Sequence, residues 1–219
     1  IRWLAALFGP EVVEFDVEGL KSGRFTYGHR FLSRGEIALA APEEYLAALE
    51  KNYVIVDQER RRRLVWEQIT ELAAREGGRV EPDEELLDEV TFLLEYPTAL
   101  CGKIEEQFME LPDEVLMTPM REHQRYFPVL DAAGRLLPKF ITVRNGTADH
   151  LEVVREGNEK VLRARLADAR FFYEEDLRQP LVELVPKLEK IVFLESLGMM
   201  SDKVRRVRDI TGWLTENLG

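Results

Sequence analysis

Apolar residues recur at three- and four-residue intervals through residues 156–176, and this spacing predicts an amphipathic helix. The segment contains no proline and consists mostly of strong helix formers. Asn158 is expected to cap the start of the helix, with Glu156 and Glu159 near the positive end of its dipole. The apolar stripe consists of Val161, Leu162, Leu166, Ala169, Phe172 and Tyr173.

Two further helices are predicted in the first half of the chain. Residues 57–76 carry apolar side chains at helical spacing, and Asp57 is a suitable N-cap. Residues 82–96 begin with acidic side chains and stop before a proline, which disfavours a helical residue before it. The run Arg60–Arg63 covers a whole helical turn, so at least one of its side chains must extend from the buried side. Other helices are predicted at 42–51, 181–194 and 201–218, and Pro186 implies a kink or a restart in the second of these.

Alternation of apolar and polar residues predicts strands elsewhere. A β-hairpin is expected from residues 126–130 and 136–143, joined by a turn at 131–134. Residues 1–8 are apolar and stop at a Gly-Pro pair, which predicts the last part of a helix. Shorter β segments are predicted at 12–17, 37–41 and 53–56, and residues 98–102 and 108–111 are expected to be short β or irregular pieces.

The mixture of helices and short strands indicates an α+β fold. A mixed α/β domain is expected at residues 11–150, after the end of a preceding segment at residues 1–10. Long helices within residues 151–198 would link this domain to residues 199–219, where a truncated helical domain would begin. The chain does not begin with Met, so we expect an excised piece of a longer protein.

Composition restricts the function classes. The formal net charge of -11 at pH 7 disfavours general nucleic-acid binding, although a local basic face could still contact RNA. The single cysteine, Cys101, excludes a disulfide framework and a multi-cysteine zinc site, and it fits a reducing cytoplasm. Cys101 and His123 could pair as nucleophile and base, but a packed thiol is the preferred interpretation. No phosphate-binding loop, dinucleotide fingerprint or metal-ligand spacing occurs, so we expect no bound cofactor and no metal.

The most site-like cluster is the run from Arg121 to Phe127. Arg121 and Arg125 suit phosphate groups, and the aromatic residues that follow suit stacking on an unpaired base. His123 beside Glu122 would also suit a hydrolytic pocket. The structural alternative, which we prefer, places the two aromatic side chains in the core and lets His123 donate to a backbone carbonyl.

A basic flank on the central helix is the second candidate. It consists of Lys160, Arg163, Arg165 and Arg170. Helical spacing favours pairs of Glu159 with Arg163 and of Arg165 with Asp168, each worth only ~0.2–0.5 kcal/mol. The pattern leaves open whether the flank is an interface with RNA or a partner domain, or a solvated helix face.

The run Gly28–Phe31 is the third candidate, with a pocket at His29 and Arg30. Gly28 would be required either for a positive φ or for a close backbone approach. His29 and Arg30 could equally be its hydrogen-bonding neighbours. The arginines at 60–63 could also touch RNA, but a solvated helix face is the preferred interpretation.

Four runs of residues, in order along the chain, carry a family resemblance. The longest spans Glu156–Leu177. The others are Gly28–Phe31, Met120–Pro128 with Phe140–Gly146, and Lys187–Phe193 with Leu197–Gly198. Together they resemble the β subunits of bacterial-type glycyl-tRNA synthetases, over most of the chain from about residue 23 to residue 208.

The resemblance implies an assembly of two α and two β chains, in which the α subunit makes glycyl-adenylate from glycine and ATP with Mg²⁺. The β subunit would bind glycine tRNA and contact the α subunit and a second β subunit. Residues 11–150 would be similar to the editing-type domain of phenylalanyl-tRNA synthetase β chains, and residues 199–219 would begin an HD-like domain. No catalytic residue is carried over, and Tyr27 stands where family members often have His.

We therefore expect a cytoplasmic tRNA-binding and assembly part of a glycine–tRNA ligase β subunit, without a membrane span. The alternatives are a hydrolytic editing-type domain that acts on mischarged tRNA, with His123 and Glu122 in its pocket, and a protein-interaction scaffold without RNA contact. The candidate contacts with tRNA or a partner are Arg121, His123, Arg125, Lys160, Arg163, Arg165 and Arg170.

Overall fold

The computed structural model describes residues 2–218, so Ile1 and Gly219, at the ends of the first and last predicted segments, lie outside the described residues. The chain divides into two compact units, Ile1–Ala169 and Arg170–Gly219. Each unit combines helices with small, mainly antiparallel sheets, which confirms the α+β class. The boundary between the units falls inside a long helix.

Seven short strands form the first part of the chain. In order they are β1 Leu4–Ala5, β2 Leu7–Phe8, β3 Glu11–Val12, β4 Asp16–Val17, β5 Leu20–Gly23, β6 Phe25–Thr26 and β7 Ile37–Ala38. Strand β5 pairs in parallel with β1 and antiparallel with β4, while β2–β3 and β6–β7 are antiparallel pairs. The helix predicted for residues 1–8 is therefore wrong. Gly9 adopts a φ of 55°, which lets β2 turn back onto β3 as a hairpin.

The next segment is helical. In order it contains a 3₁₀ turn at Pro42–Glu44, α1 at Tyr45–Lys51, α2 at Gln58–Arg75 and α3 at Glu84–Leu93. Helices α2 and α3 confirm the prediction to within a few residues, and the side chains of Asp57 and Asp83 cap their first turns. The strand predicted at residues 53–56 is wrong, because Tyr53 adopts a left-handed φ of 61° that ends the preceding helix.

The four consecutive arginines of α2 have different surroundings. Arg61 is buried, and its Nε donates to the Thr91 carbonyl at 2.9 Å while its guanidinium also reaches the Ile55 carbonyl. Arg60 and Arg62 pair with carboxylates of α1 and α3, respectively. The prediction that one arginine extends from the buried side is confirmed. Burial of Arg61 ties α2 to the end of α3, since its donors are satisfied by backbone oxygens rather than by water.

An antiparallel sheet forms the centre of the first unit. Its strands are β8 Pro97–Lys103, β9 Phe127–Leu130 and β10 Leu136–Asn145, in the spatial order β8-β10-β9. The predicted hairpin is confirmed, because β9 and β10 pair antiparallel around a turn at residues 131–134. Helix α2 packs on this sheet, with α3 beside α2. The core between them consists of Val65, Ile69, Ala73, Val80, Leu86, Leu87, Val90, Leu94, Phe127, Val129 and Ile141.

Short helical pieces connect β8 to β9. In order they are a 3₁₀ turn at Glu106–Phe108, α4 at Asp113–Thr118 and a π-helical turn at Pro119–Gln124. The π-helical turn ends at Arg125, which adopts a left-handed φ of 58°. This conformation costs roughly 1–2 kcal/mol for a residue with a Cβ.

Helix α5 spans Leu151–Arg178 and thus begins well before Glu156. Asn158 lies inside the helix, so the predicted capping role is wrong. Its Nδ2 donates to the Val154 carbonyl at 2.7 Å, and its Oδ1 accepts from the Tyr126 hydroxyl at 2.6 Å. The Asn158 side chain, which the sequence pattern assigns to the helix cap, instead binds Tyr126 from another part of the chain.

Three residues, which we call the aromatic column, connect the sheet to α5: Gly102, Phe140 and Tyr126. Gly102 on β8 lies opposite Phe140 on β10, and a Cβ at Gly102 would lie 2.3 Å from the Phe140 ring. The Tyr126 ring stacks on Phe140 with centroids 4.6 Å apart and an interplanar angle of 15°. Glycine is required at position 102 because the aromatic ring occupies the space of a side chain.

The second unit contains the end of α5 and five further elements. They are α6 Leu181–Leu184, a 3₁₀ segment Val185–Lys190, β11 Val192–Leu194, β12 Gly198–Met199 and α7 Met200–Leu218. The predicted interruption of the 181–194 helix at Pro186 is confirmed, because α6 ends at Leu184 and a 3₁₀ segment follows. The helix is wrong at Val192–Leu194, where β11 pairs with β12 as a hairpin. The helix predicted at 201–218 is confirmed. None of the helices within residues 2–218 has the length and apolar character needed to cross a membrane.

We expect Gly102→Ala to lower the free energy of unfolding by about 1–3 kcal/mol, because the added methyl would overpack the Phe140 ring. Gly157→Ala is the matched control, since nothing lies within 4 Å of its Cβ position. Alanine at this helical position should raise stability by about 0.5–1 kcal/mol. Urea unfolding followed by circular dichroism measures both changes, and effects of equal sign would contradict the role of the aromatic column.

Candidate functional site

The first candidate cluster lies on the π-helical turn and at the start of β9. Arg121 pairs with Asp83, the N-cap of α3. The Arg125 Nε lies 2.5 Å from Glu89 Oε1 on α3. Both guanidiniums therefore already have carboxylate partners, so a phosphate group would have to displace those carboxylates to bind here.

The aromatic residues of this cluster belong to the core. Tyr126 and Phe127 are both buried, as the structural alternative predicts. Burial raises the pKa of Tyr126 to about 12. His123 and Glu122 are exposed, and the His123 side chain forms no hydrogen bond or ion pair within residues 2–218. The predicted hydrogen bond from His123 to a backbone carbonyl is thus wrong.

Part of the basic flank on α5 is used to attach the helix. Arg163 pairs with Glu105, which follows β8, and not with Glu159. Glu159 instead accepts a hydrogen bond from the Lys103 amide at 2.9 Å. The predicted ion pair of Glu159 with Arg163 is therefore wrong. Glu159 contacts Lys103 at the end of β8, and Arg163 contacts Glu105 just after it.

The remaining cations of this flank differ in their pairing. Lys160 and Arg165 are exposed, and neither forms an ion pair with any other described residue. The predicted pair of Arg165 with Asp168 is therefore wrong. In the second unit, the Arg170 Nε lies 3.2 Å from Glu174 Oε1. Lys160 and Arg165 are thus the members of this flank that a phosphate could approach without displacing a carboxylate.

A cavity of about 380 Å³ lies between α5 and the end of β8. Three basic and three acidic side chains line it, and they include Lys103, Lys139, Arg163, Glu105, Glu106 and Glu159. Because these charges nearly cancel, the cavity offers little net positive potential to a phosphate.

The third candidate borders a cavity of about 410 Å³. Gly28 has no room for a side chain, since a Cβ would lie 2.5 Å from Asn52 Cβ, and its φ is not positive. Close backbone approach therefore explains this glycine. His29 is only 3% exposed, and its Nδ1 accepts from the Phe31 amide at 3.3 Å. Among buried side-chain atoms of the described residues, His29 Nε2 is the one without a hydrogen-bond partner.

The tertiary structure joins the first two candidates through Tyr126 and Asn158, whereas His29 lies in the strand-rich first part of the chain. Sequence reasoning misses Trp3, whose ring centroid lies 4.7 Å from that of Tyr27 beside the same cavity. The sequence offered one signal for this position, an aromatic residue in a short apolar run. The helix predicted for residues 1–8 did not place Trp3 beside Tyr27.

Neither thiol nor metal chemistry is indicated by the described residues. Burial, with a smaller contribution from Glu76, raises the pKa of the Cys101 thiol to about 11. A thiol with this pKa is almost fully protonated near neutral pH, which supports the packed-thiol interpretation. Within residues 2–218 no group of three or more His, Cys, Asp or Glu side chains could hold a metal ion.

Comparison with known proteins gives a consistent match. A protein-family model described as "Glycyl-tRNA synthetase beta subunit" matches residues 1–219. Proteins named glycine–tRNA ligase β subunit from Moorella thermoacetica, Desulforamulus reducens and Listeria monocytogenes are 59%, 58% and 47% identical to this chain. Each match covers 100% of this chain, but only 31% or 32% of the relative. The chain thus spans about a third of the length of these relatives.

Replacement of Tyr126 by Phe should lower the free energy of unfolding by about 1 kcal/mol, because it removes the hydrogen bond to Asn158 and keeps the stacked ring. The raised pKa adds a pH dependence. Because the folded chain holds Tyr126 protonated, this group contributes to stability fully below about pH 10, its pKa in the unfolded chain. That contribution is lost as the pH rises through about 12, its pKa in the folded chain. Urea unfolding between pH 8 and pH 11 should therefore show a smaller loss of stability for Tyr126→Phe than for the native chain.

The matched control is Tyr45→Phe, since the Tyr45 hydroxyl forms no hydrogen bond within the described residues. This variant should follow the native chain at every pH. An identical pH dependence for Tyr126→Phe and the native chain would contradict the burial of a protonated Tyr126.

Cys101 should react slowly with iodoacetamide at pH 8, because a thiol with a pKa of about 11 is almost entirely protonated there. The rate should rise steadily as the pH increases toward 11. Mass spectrometry of the alkylated chain measures it, and the chain unfolded in urea is the control that should react rapidly. Rapid modification of the folded chain at pH 8 would show an activated thiolate instead.

Proposed function

Because this chain belongs to the glycyl-tRNA synthetase β-subunit family, we propose that it contributes tRNA binding and assembly contacts to a glycine–tRNA ligase. The observation that carries the proposal is the family match over residues 1–219. In the complete enzyme, ATP with Mg²⁺ would be used by a catalytic α subunit. The partners would be that α subunit and a second β subunit, and the substrate would be glycine tRNA.

The cations of α5 support RNA contact in this part of the chain. Lys160 and Arg165 are exposed without carboxylate partners in the described ranges, and α5 is anchored by Asn158. Anchoring matters because a phosphate contact gains most when the cation is already positioned. Arg163 and Arg121 would contribute only after exchange of their carboxylate partners.

Exposed apolar side chains of the second unit support an assembly role. Large apolar residues are exposed along the end of α5, in α6 and on α7, in a unit where no described residue is buried. Many large exposed apolar side chains in one small unit are typical of a surface that a partner covers. They include Phe171, Phe172, Leu181, Val182, Ile210 and Trp213.

Within this proposal, residues 11–150 correspond to the mixed α/β domain that is similar to the editing-type domain of phenylalanyl-tRNA synthetase β chains. Hydrolysis of mischarged tRNA stays an alternative prediction. No observation on the described residues favours it, because Glu122 and His123 are both exposed and give no enclosed base.

Binding of fluorescently labelled glycine tRNA, measured by anisotropy across a salt series, tests the proposal. We expect saturable binding that weakens as salt increases, because phosphate contacts release counterions. The double substitution of Lys160 and Arg165 by Ala should weaken binding. It should also reduce the slope of log K against log salt by about 1 for each phosphate that the variant no longer neutralises.

The matched control is Arg75→Ala on α2, an exposed arginine paired with Glu71. It should leave the affinity and the salt slope unchanged. Equal effects of the control and the double variant would place RNA contact elsewhere in the chain. Absence of binding even at low salt would overturn the RNA part of the proposal.

A further inference from the structure

The cavity of about 410 Å³ beside His29, which we call the His29 cavity, is not used by the proposed function. Its volume lies in the range of small-molecule sites, about 300–1,000 Å³. Its wall combines two aromatic rings, two guanidiniums, a buried imidazole and a hydroxyl. These side chains belong to Trp3, Tyr27, Arg2, Arg30, His29 and Ser33.

The aromatic part of the wall is held in place by contacts within the first unit. The Trp3 and Tyr27 rings lie 4.7 Å apart at an angle of 57°. The Tyr27 hydroxyl donates to Glu36 Oε1 at 2.8 Å, which fixes the orientation of that ring. Fixed aromatic rings beside a cavity can stack on a planar ligand, and every nucleobase offers such a planar face.

The buried imidazole requires a hydrogen-bond acceptor. Because His29 Nδ1 accepts from the Phe31 amide, the proton of the neutral ring is assigned to Nε2. This Nε2 donor is buried and has no partner within residues 2–218. A buried donor without an acceptor is destabilising. Because Nε2 is not accessible to solvent, a ring nitrogen or carbonyl oxygen of a ligand would satisfy it after the His29 ring turns toward the cavity.

The guanidiniums add positive charge at the rim. Arg2 and Arg30 are exposed, and neither forms an ion pair with another described residue. Arg30 also lies 5.6 Å from the centroid of the Phe31 ring, which restricts its position. The Ser33 hydroxyl is occupied, because it donates to Asn52 Oδ1 at 2.8 Å. The available groups are therefore donors and aromatic faces, without a carboxylate.

We propose that the His29 cavity binds one unpaired nucleotide, with its base against Trp3 and Tyr27, an acceptor atom of the base at His29, and its phosphate at Arg30 and Arg2. A planar, acceptor-rich ring that carries a phosphate satisfies all of these groups at once. This inference rests on the proposed function, because the nucleotide would be part of the bound tRNA. The cavity itself can be tested with a free mononucleotide.

Titration of the chain with AMP, followed by tryptophan fluorescence, tests the cavity directly. AMP should quench the fluorescence saturably, and Trp3→Leu should abolish that quenching. Adenosine should bind more weakly than AMP because it lacks the phosphate. Inorganic phosphate should cause no saturable quenching, and quenching equal to that by AMP would overturn the stacking of a base.

Charge-reducing variants separate the cavity from general surface attraction. Arg30→Gln should lower the affinity for AMP about tenfold, because it removes one charge-assisted hydrogen bond. Arg34→Gln is the matched control, because Arg34 is exposed in the same segment and does not line the cavity. His29→Leu should also weaken AMP binding, and its thermal unfolding is measured first since His29 is buried. If that variant does not fold, Arg30→Gln decides the question, because Trp3→Leu removes the fluorophore that reports binding.

The same variants, measured with glycine tRNA, distinguish the two proposals. Binding of tRNA without any binding of AMP overturns the nucleotide cavity and leaves the proposed function intact. Binding of AMP that depends on Trp3 and Arg30, without binding of tRNA, supports the cavity and overturns the RNA part of the proposed function. An equal decrease of AMP affinity in Arg30→Gln and Arg34→Gln also overturns the cavity, because it shows non-specific attraction.

Discussion

The packing of the Phe140 ring over Gly102 begins a chain of contacts that joins the central sheet to α5. The ring occupies the space of a side chain on β8, and the Tyr126 ring stacks on it. The Tyr126 hydroxyl donates to Asn158, which lies in the first third of the 28-residue helix α5. The absence of a Cβ at Gly102 therefore helps to place the cations of α5 in the first unit, together with the contacts of Glu159 and Arg163 with Lys103 and Glu105.

Folding decides which arginines of this acidic chain remain available. Arg61 is buried against backbone carbonyls, and Arg121 and Arg163 pair with carboxylates from other segments. Exposed ion pairs contribute only about 0–1 kcal/mol each to stability, but they occupy the donors that a phosphate would need. The net charge of -11 thus says less about RNA contact than the two exposed side chains of Lys160 and Arg165, which have no carboxylate partner within the described residues.

The proposed phosphate contact at α5 and the proposed base stacking at the His29 cavity would depend on different forces. Coulombic attraction at Lys160 and Arg165 is screened by salt, because both side chains are exposed. Stacking of a base on Trp3, as proposed, would be much less sensitive to salt because it involves no net charge. A tRNA that used both regions would retain part of its affinity at high ionic strength.

The sequence by itself determined the elements whose signals are local. Helices α2, α3 and α7, the cap at Asp57 and the β9–β10 hairpin follow from spacing and turn residues that are close in the chain. The matched runs also identified the family. Only the tertiary structure decided the strands within residues 1–8, the partner of Asn158 and the surroundings of His29. Strand β2 pairs with β3 across the Gly9-Pro10 turn, a local signal that the predicted helix overlooked. The pairing of β1 with β5, the bond of Tyr126 to Asn158 and the packing of His29 join residues far apart in sequence, and local periodicity carries no information about them.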